Sequence, residues 1–209
     1  MTTTWTAAAL SQDVPAGTAV PGRLGDRDLA IWRSASGKIA AWADRCPHRG
    51  MRLSHGFVRG EALSCIYHGW RYGQAGQCIK IPAHPGLDPP DAIRVPAFAV
   101  AEASGVIWVA DGAPATAPPA FEGFTGFRSL QLEAPASAVA EALGGKGDAI
   151  RAALGPTPVV ALIQPLGPDR SGLHLLAPLS AAPEALDALS VAAEDLRRRA
   201  EAGQKGRAA

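Results

Sequence analysis

Two short stretches constrain this chain more than anything else in it: Cys46-Pro47-His48-Arg49-Gly50 and Cys65-Ile66-Tyr67-His68-Gly69-Trp70. The chain has three cysteines and five histidines, and two of each fall in these stretches, a short hairpin's length apart. Each stretch sets two ligand-type side chains on one tight turn, so that both can converge on one side of a metal centre. Pro47 stiffens the first turn, while Gly50 and Gly69 let the backbone bend and approach closely.

Four nitrogen and sulfur donors in two pairs suit either a tetrahedral zinc ion or a [2Fe–2S] cluster with two thiolates on one iron and two imidazoles on the other. The order of donors separates these readings. Zinc knuckles usually draw both members of a pair from a C-x-x-C or H-x-x-H turn. Here each turn alternates cysteine then histidine, as a two-iron centre requires: Cys46 and Cys65 go to the inner iron, His48 and His68 to the outer one. Cys46-x-His48 with Cys65-x-x-His68, continued by Arg49-Gly50 and the Tyr67-His68-Gly69-Trp70 string, closely resembles the signature of Rieske [2Fe–2S] proteins of the ring-hydroxylating and demethylating oxygenase type. The resemblance runs over roughly residues 3–113.

That resemblance carries expectations about redox potential. High-potential respiratory members have an extra, mutually bridged cysteine in each loop and a serine after the second His-Gly. Here the corresponding positions hold Gly50, Tyr67 and Trp70, and only Tyr72 retains a hydroxyl donor. Hydrogen bonds to the sulfurs stabilise the added electron, so the expected potential is on the order of −150 mV to 0. The imidazole ligands lose protons more easily from the oxidised centre, so the potential should fall at alkaline pH.

The resemblance also implies a second domain of helix-grip fold with a mononuclear iron held by two histidines and a carboxylate. This chain departs from it. The stretch in the expected place, 129–150, holds Glu133, Glu141 and Asp148 but no histidine, and His174 is the single histidine after His84. No facial triad can be assembled there, and no mononuclear iron or independent oxygenase active site is predicted.

Short apolar runs with glycine turns predict a mainly β first half. Strands are expected at 28–33 and 38–43, at 61–68 and 76–83 around Gly-Trp-Arg-Tyr-Gly, and at 97–103 and 106–110, forming a Rieske-type antiparallel sandwich over 1–113. Residues 114–128, opening with a Pro- and Ala-rich run, read as a linker. Residues 129–209 read as a small α+β unit: a helix at 136–143, strands at 157–166 and 171–180, and a helix at 183–203 with Leu186, Leu189 and Leu196 on one stripe. This unit is read as a reduced helix-grip domain or an unrelated extension.

The remaining candidates have plainer readings. His55 and His84 are read as loop residues, Cys78 as a small buried apolar residue, Trp70 as a shield over the cluster, and His174 as an ordinary strand residue. The imidazole edges of His48 and His68 are the expected electron exit. Pro47, Met51 and Trp70 would form an apolar rim there, and Arg49 and Arg52 would add charge towards an acidic partner. A net charge of +1 gives no general field for nucleic acid or an anionic membrane. No signal peptide or membrane span is read, and the odd cysteine count argues against a disulfide framework, so the expected compartment is the cytoplasm, with reduced thiols. The expected function is an electron-transfer component fed by a reductase or ferredoxin and serving an oxygenase catalytic subunit in a hetero-oligomer. The alternatives are a catalytic oxygenase with an unusual iron site and a non-enzymatic redox sensor or assembly subunit.

Overall fold

The computed structural model describes residues 4–205. The chain divides into two compact units. The first comprises Gln12–Ala101 and Trp108–Ala117 with the N-terminal stretch ending at Trp5; the second comprises Thr6–Ser11, Glu102–Ile107 and the chain from Pro118 onward.

In chain order the strands of the N-terminal half are β1 (Thr6–Leu10), β2 (Ala19–Leu24), β3 (Arg27–Arg33), β4 (Ile39–Ala43), β5 (Phe57–Arg59), β6 (Ala62–Ser64), β7 (Arg71–Gly73), β8 (Cys78–Lys80), β9 (Ala97–Ala103) and β10 (Val106–Ala110). They form a six-stranded sheet, β1-β10-β9-β4-β3-β2, and a four-stranded meander, β5-β6-β7-β8. The β3–β4 hairpin forms where the sequence places it. The Ser34 amide donates to the Lys38 carbonyl at 2.9 Å, and the register sets Ala30 opposite Trp42 and Trp32 opposite Ala40. Side chains alternate across a strand, so Trp32 and Trp42 share one face. There they meet edge-on, with ring centroids 4.9 Å apart, and pack with Leu53, Leu63, Tyr72 and Val95. Cys46 and Cys65 belong to this same apolar cluster.

The expected pairing of 61–68 with 76–83 is corrected by the structure. The Cys65 amide donates to the Trp70 carbonyl at 2.9 Å, which closes that loop on itself. The chain therefore reverses early, and Arg71–Gly73 becomes a strand of its own between β6 and β8.

The second unit adds β11 (Phe124–Leu132), α1 (Ala136–Ala142), β12 (Ala149–Leu154), β13 (Thr157–Gly167), β14 (Arg170–Pro178) and α2 (Pro183–Lys205). Its sheet is β11-β14-β13-β12, with every pair antiparallel. Both helices and the β13–β14 hairpin lie where the sequence predicts them. β11 starts at Phe124, inside the segment read as linker, because its pairing partner is β14, some fifty residues further along the chain. α2 buries Leu189, Ala193, Leu196 and Ala200 against Leu132, Leu173 and Leu175, with Leu186 at the margin. Each fully buried leucine contributes about 1.5–3 kcal/mol. The 197–199 arginine run lies on the solvated side, with Arg197 paired to Glu194 and Arg198 to Asp195.

Candidate metal centre

The first ligand-bearing loop follows β4 of the large sheet; the second joins β6 to β7 of the meander. The two loops share one backbone frame. The Cys46 amide donates to the Met51 carbonyl and the Gly50 amide to the Cys46 carbonyl, both at 2.8 Å; the Cys65 amide donates to Trp70 and the Gly69 amide to Cys65, both at 2.9 Å. Gly50 and Gly69 close the two frames with φ of 72° and 69°, a region that costs other residues roughly 1–2 kcal/mol. The histidine sits two residues after the cysteine in one loop and three in the other, which sets the two imidazoles side by side on equivalent scaffolds.

The four side chains meet as two pairs. Cys46 and Cys65 are buried at 2% exposure each and belong to one apolar cluster. His48 and His68 lie with ring centroids 4.6 Å apart; His48 is half-buried and His68 exposed. Among the described residues no group of three or more His, Cys, Asp or Glu side chains gathers as a single ion would need. The pairwise layout is that of a binuclear centre, with thiols inward and imidazoles outward.

The surroundings suit such a group. Burial pushes the Cys65 thiol pKa up, against backbone amides of Tyr67 and His68 that hydrogen-bond its sulfur and favour negative charge there. The Tyr72 hydroxyl, fully buried, lies 3.1 Å from the Cys46 sulfur. Burial first, and then the bond to Cys46, drive its pKa far above the usual phenol value, so it stays a donor. Nδ1 of His48 is buried with no hydrogen-bond partner among the described residues, an arrangement that costs free energy unless something binds the nitrogen. Burial, then His68 and Arg49, push that imidazole's pKa down, keeping it neutral and able to ligate. Trp70 stacks flat on His48, with centroids 4.4 Å apart and planes within 5°. Tyr67 covers His68 at 3.8 Å, a contact the sequence reading did not anticipate.

Other candidates fall where their plainer readings put them. Cys78 is buried opposite Tyr72 in the β7–β8 ladder, its thiol directed at the Lys80 carbonyl. His55, at the end of the short 3-10 turn Leu53–His55, and His84, in a loop, are both exposed. His174 is buried in β14, with Nδ1 2.9 Å from the Ser129 hydroxyl on the paired strand. The expected rim is redrawn. Arg52 is tied to Asp28 and Asp44, and Met51 and Trp70 are only half-exposed. The exposed apolar side chains beside His68 are Ile66 and Tyr67.

This geometry suits one class of protein: an iron–sulfur domain in which paired thiols lie inward and paired imidazoles outward. The comparisons agree. A family model described as the Rieske [2Fe–2S] domain matches residues 4–99. Oxidoreductase NdmD of Pseudomonas putida is 43% identical over 115 residues, which is 54% of this chain and 20% of that protein. The dicamba O-demethylase oxygenase component of Stenotrophomonas maltophilia is 36% identical over 118 residues, 55% of this chain and 33% of that protein. The alignments with these two relatives thus span only between a fifth and a third of the relatives' length. Among solved structures, a Pseudomonas putida CBB5 NdmA mutant with theobromine superposes with a TM-score of 0.75 at 18% identity, covering 94% of this chain and 80% of that one. Dicamba monooxygenase bound to dicamba gives 0.72 at 19%, covering 95% and 84%. At such identities the likeness is one of fold. Residues 4–99 thus match the Rieske [2Fe–2S] domain, and the matching relatives are Rieske oxygenase components; such a domain implies a [2Fe–2S] cluster as cofactor. The paired thiols, the outward imidazoles and the unpartnered His48 nitrogen fit that group.

Proposed function

We propose that Cys46, His48, Cys65 and His68 hold the cluster and that the chain serves as a single-electron carrier between a reductase or ferredoxin and a mononuclear-iron oxygenase subunit. The bound cluster supplies a one-electron redox couple. Cys46 and Cys65 anchor it in the apolar core, where Tyr72 and the Tyr67 and His68 amides aim donors at the cysteine sulfurs. His68 brings the centre to the surface, and Trp70 keeps water from one face of His48. The observation that carries the reading is the pairing of outward imidazoles, one of them exposed, over buried thiols, in a chain whose second half supplies one histidine. That histidine, His174, is bonded to Ser129, and no group of three or more His, Cys, Asp or Glu gathers among the described residues.

The likeness of the fold to the two oxygenase structures across more than nine-tenths of the chain favours a second reading, a catalytic oxygenase whose iron site is completed by residues from elsewhere. It also supports reading the C-terminal unit as a reduced helix-grip domain. Iron and labile-sulfide analysis of the purified chain separates the two readings. Two irons and two sulfides per chain, a reduced-state EPR signal, and oxidation of the reduced chain by an oxygenase subunit are expected. A third iron, with turnover of a small substrate on reductant and O₂ alone, would establish the second reading.

A further inference from the structure

Beside the first loop lies an open cavity of about 400 Å³, lined by Arg45, Arg49 and Arg94, by the apolar walls of Pro47 and Pro96, and by His48. None of the three arginines forms an ion pair among the described residues, whereas the neighbouring Arg52 and Arg27 do. The carboxylate nearest in sequence to Arg45 and Arg49, Asp44, is taken up by the Ser54 amide and hydroxyl and by Arg52. Gly50 lines the cavity without a side chain, and Arg94 is anchored through its bond to the Ala75 carbonyl at 3.2 Å. Three uncompensated guanidinium groups around one concavity concentrate positive potential at the edge of a histidine ligand in a chain of net charge +1.

We propose that this cavity is the docking point for an acidic redox protein, receiving Asp or Glu side chains against the Arg45, Arg49 and Arg94 guanidinium groups. The inference rests on the electron-carrier reading and names the chemistry of its partner. A carboxylate on a short aliphatic stem matches the lining: guanidinium groups for the charge and proline walls for the stem. The cavity is open to solvent, as suits a protruding side chain of a folded partner. In the exchange itself a reduced donor loses one electron and this chain's cluster gains one, with no bond made or broken. Such contacts act mainly on encounter rate and orientation.

The test uses the cluster-loaded full chain and an acidic plant-type [2Fe–2S] ferredoxin as probe, with affinity measured by isothermal titration calorimetry and electron uptake by stopped flow. The Arg45→Gln/Arg94→Gln double variant is compared with wild type and with Arg59→Gln, an exposed arginine away from the cavity. The double variant should bind about tenfold more weakly at low salt and accept electrons correspondingly more slowly. The gap should close at 1 M salt, where screening acts within about 3 Å. Cluster content should match wild type, each variant's potential is measured so that uptake rates are compared at matched driving force, and Arg59→Gln should behave as wild type. Absence of ferredoxin binding by the wild-type chain, or equal affinity in the double variant, overturns the docking site. Saturable competition by free inorganic phosphate or glutarate at micromolar concentration overturns it in favour of a small-anion site. Arginine-dependent binding without electron transfer supports the site and rejects the carrier reading, whereas electron transfer indifferent to the arginines does the reverse.

Discussion

The Tyr72 hydroxyl gives the sharpest handle on how the protein sets its potential. In Tyr72→Phe only the oxygen is removed. The ring is fully buried and meets Trp42 edge-on at 6.4 Å, so a phenylalanine ring fills the same space. What is lost is the donor 3.1 Å from the Cys46 sulfur. Hydrogen bonds to charged groups are worth about 1.5–3 kcal/mol. Only the part that differs between oxidation states enters the potential, and about 1 kcal/mol is a reasonable share. At about 59 mV per tenfold change for a one-electron couple, this corresponds to a fall of about 40 mV. The sign is fixed because the reduced centre is more negative and gains more from the donor. The phenol's pKa is raised well beyond its ordinary value of 10.0, so the offset between variant and wild type should be constant from about pH 6 to pH 9. Spectroelectrochemical titration of both proteins, with cluster content checked by iron analysis, measures it. A rise, or a change below about 10 mV with the cluster intact, would refute the argument that this hydroxyl stabilises the added electron.

Four further outcomes are expected. Cys65→Ser should purify without stoichiometric iron or labile sulfide, since it removes one of two buried thiol donors; retention of both at the wild-type level would reject its ligand role. Gly50→Ala should cost about 1–2 kcal/mol, because a φ of 72° is disfavoured for alanine, as read by chemical denaturation of the N-terminal unit. Leu189→Ala in α2 should cost about 2–5 kcal/mol, because it opens a cavity in the fully buried core of the second unit; unchanged denaturation of that unit would sink the packing argument. The Glu194 carboxyl is held below its ordinary value of 4.5, chiefly by its bond to Arg197 and then by the charges of Arg197 and Arg128. Its stabilising contribution is therefore present above about pH 4.5 and is lost as pH falls through the lower folded value. Melting curves of wild type and Glu194→Gln should differ at neutral pH and converge only as pH falls through the lowered folded value.

The donor types, their spacing and the turn chemistry were legible in the residues themselves. Hydrogen bonds within six residues, together with Gly50 and Gly69, build each loop frame, and such short-range geometry follows from local sequence. The β3–β4 hairpin, the β13–β14 pair and the stripe of α2 were legible for the same reason, since each is specified by adjacent turns or by a single period. Strands β11 and β12 were not, because Gly-Phe-Thr-Gly-Phe and Ala-Ile-Arg-Ala-Ala have weak strand character; β11 is held extended by the distant β14, and β12 by its ladder with β13. The β7 strand was hidden because the tight closure of the second loop, rather than a pattern in Arg71–Gly73, created it. Tertiary structure alone decided the rest. One loop hangs from the large sheet and the other from the meander, so only the packing of the two sheets pairs Cys46 with Cys65 and His48 with His68. The same packing lays Trp70 on His48 and places Tyr72 at the Cys46 sulfur. It also leaves three arginines around one cavity while Arg52 is drawn away to Asp28 and Asp44. Contacts of that kind depend on the register and spacing of segments far apart in the chain, which no local window of residues specifies.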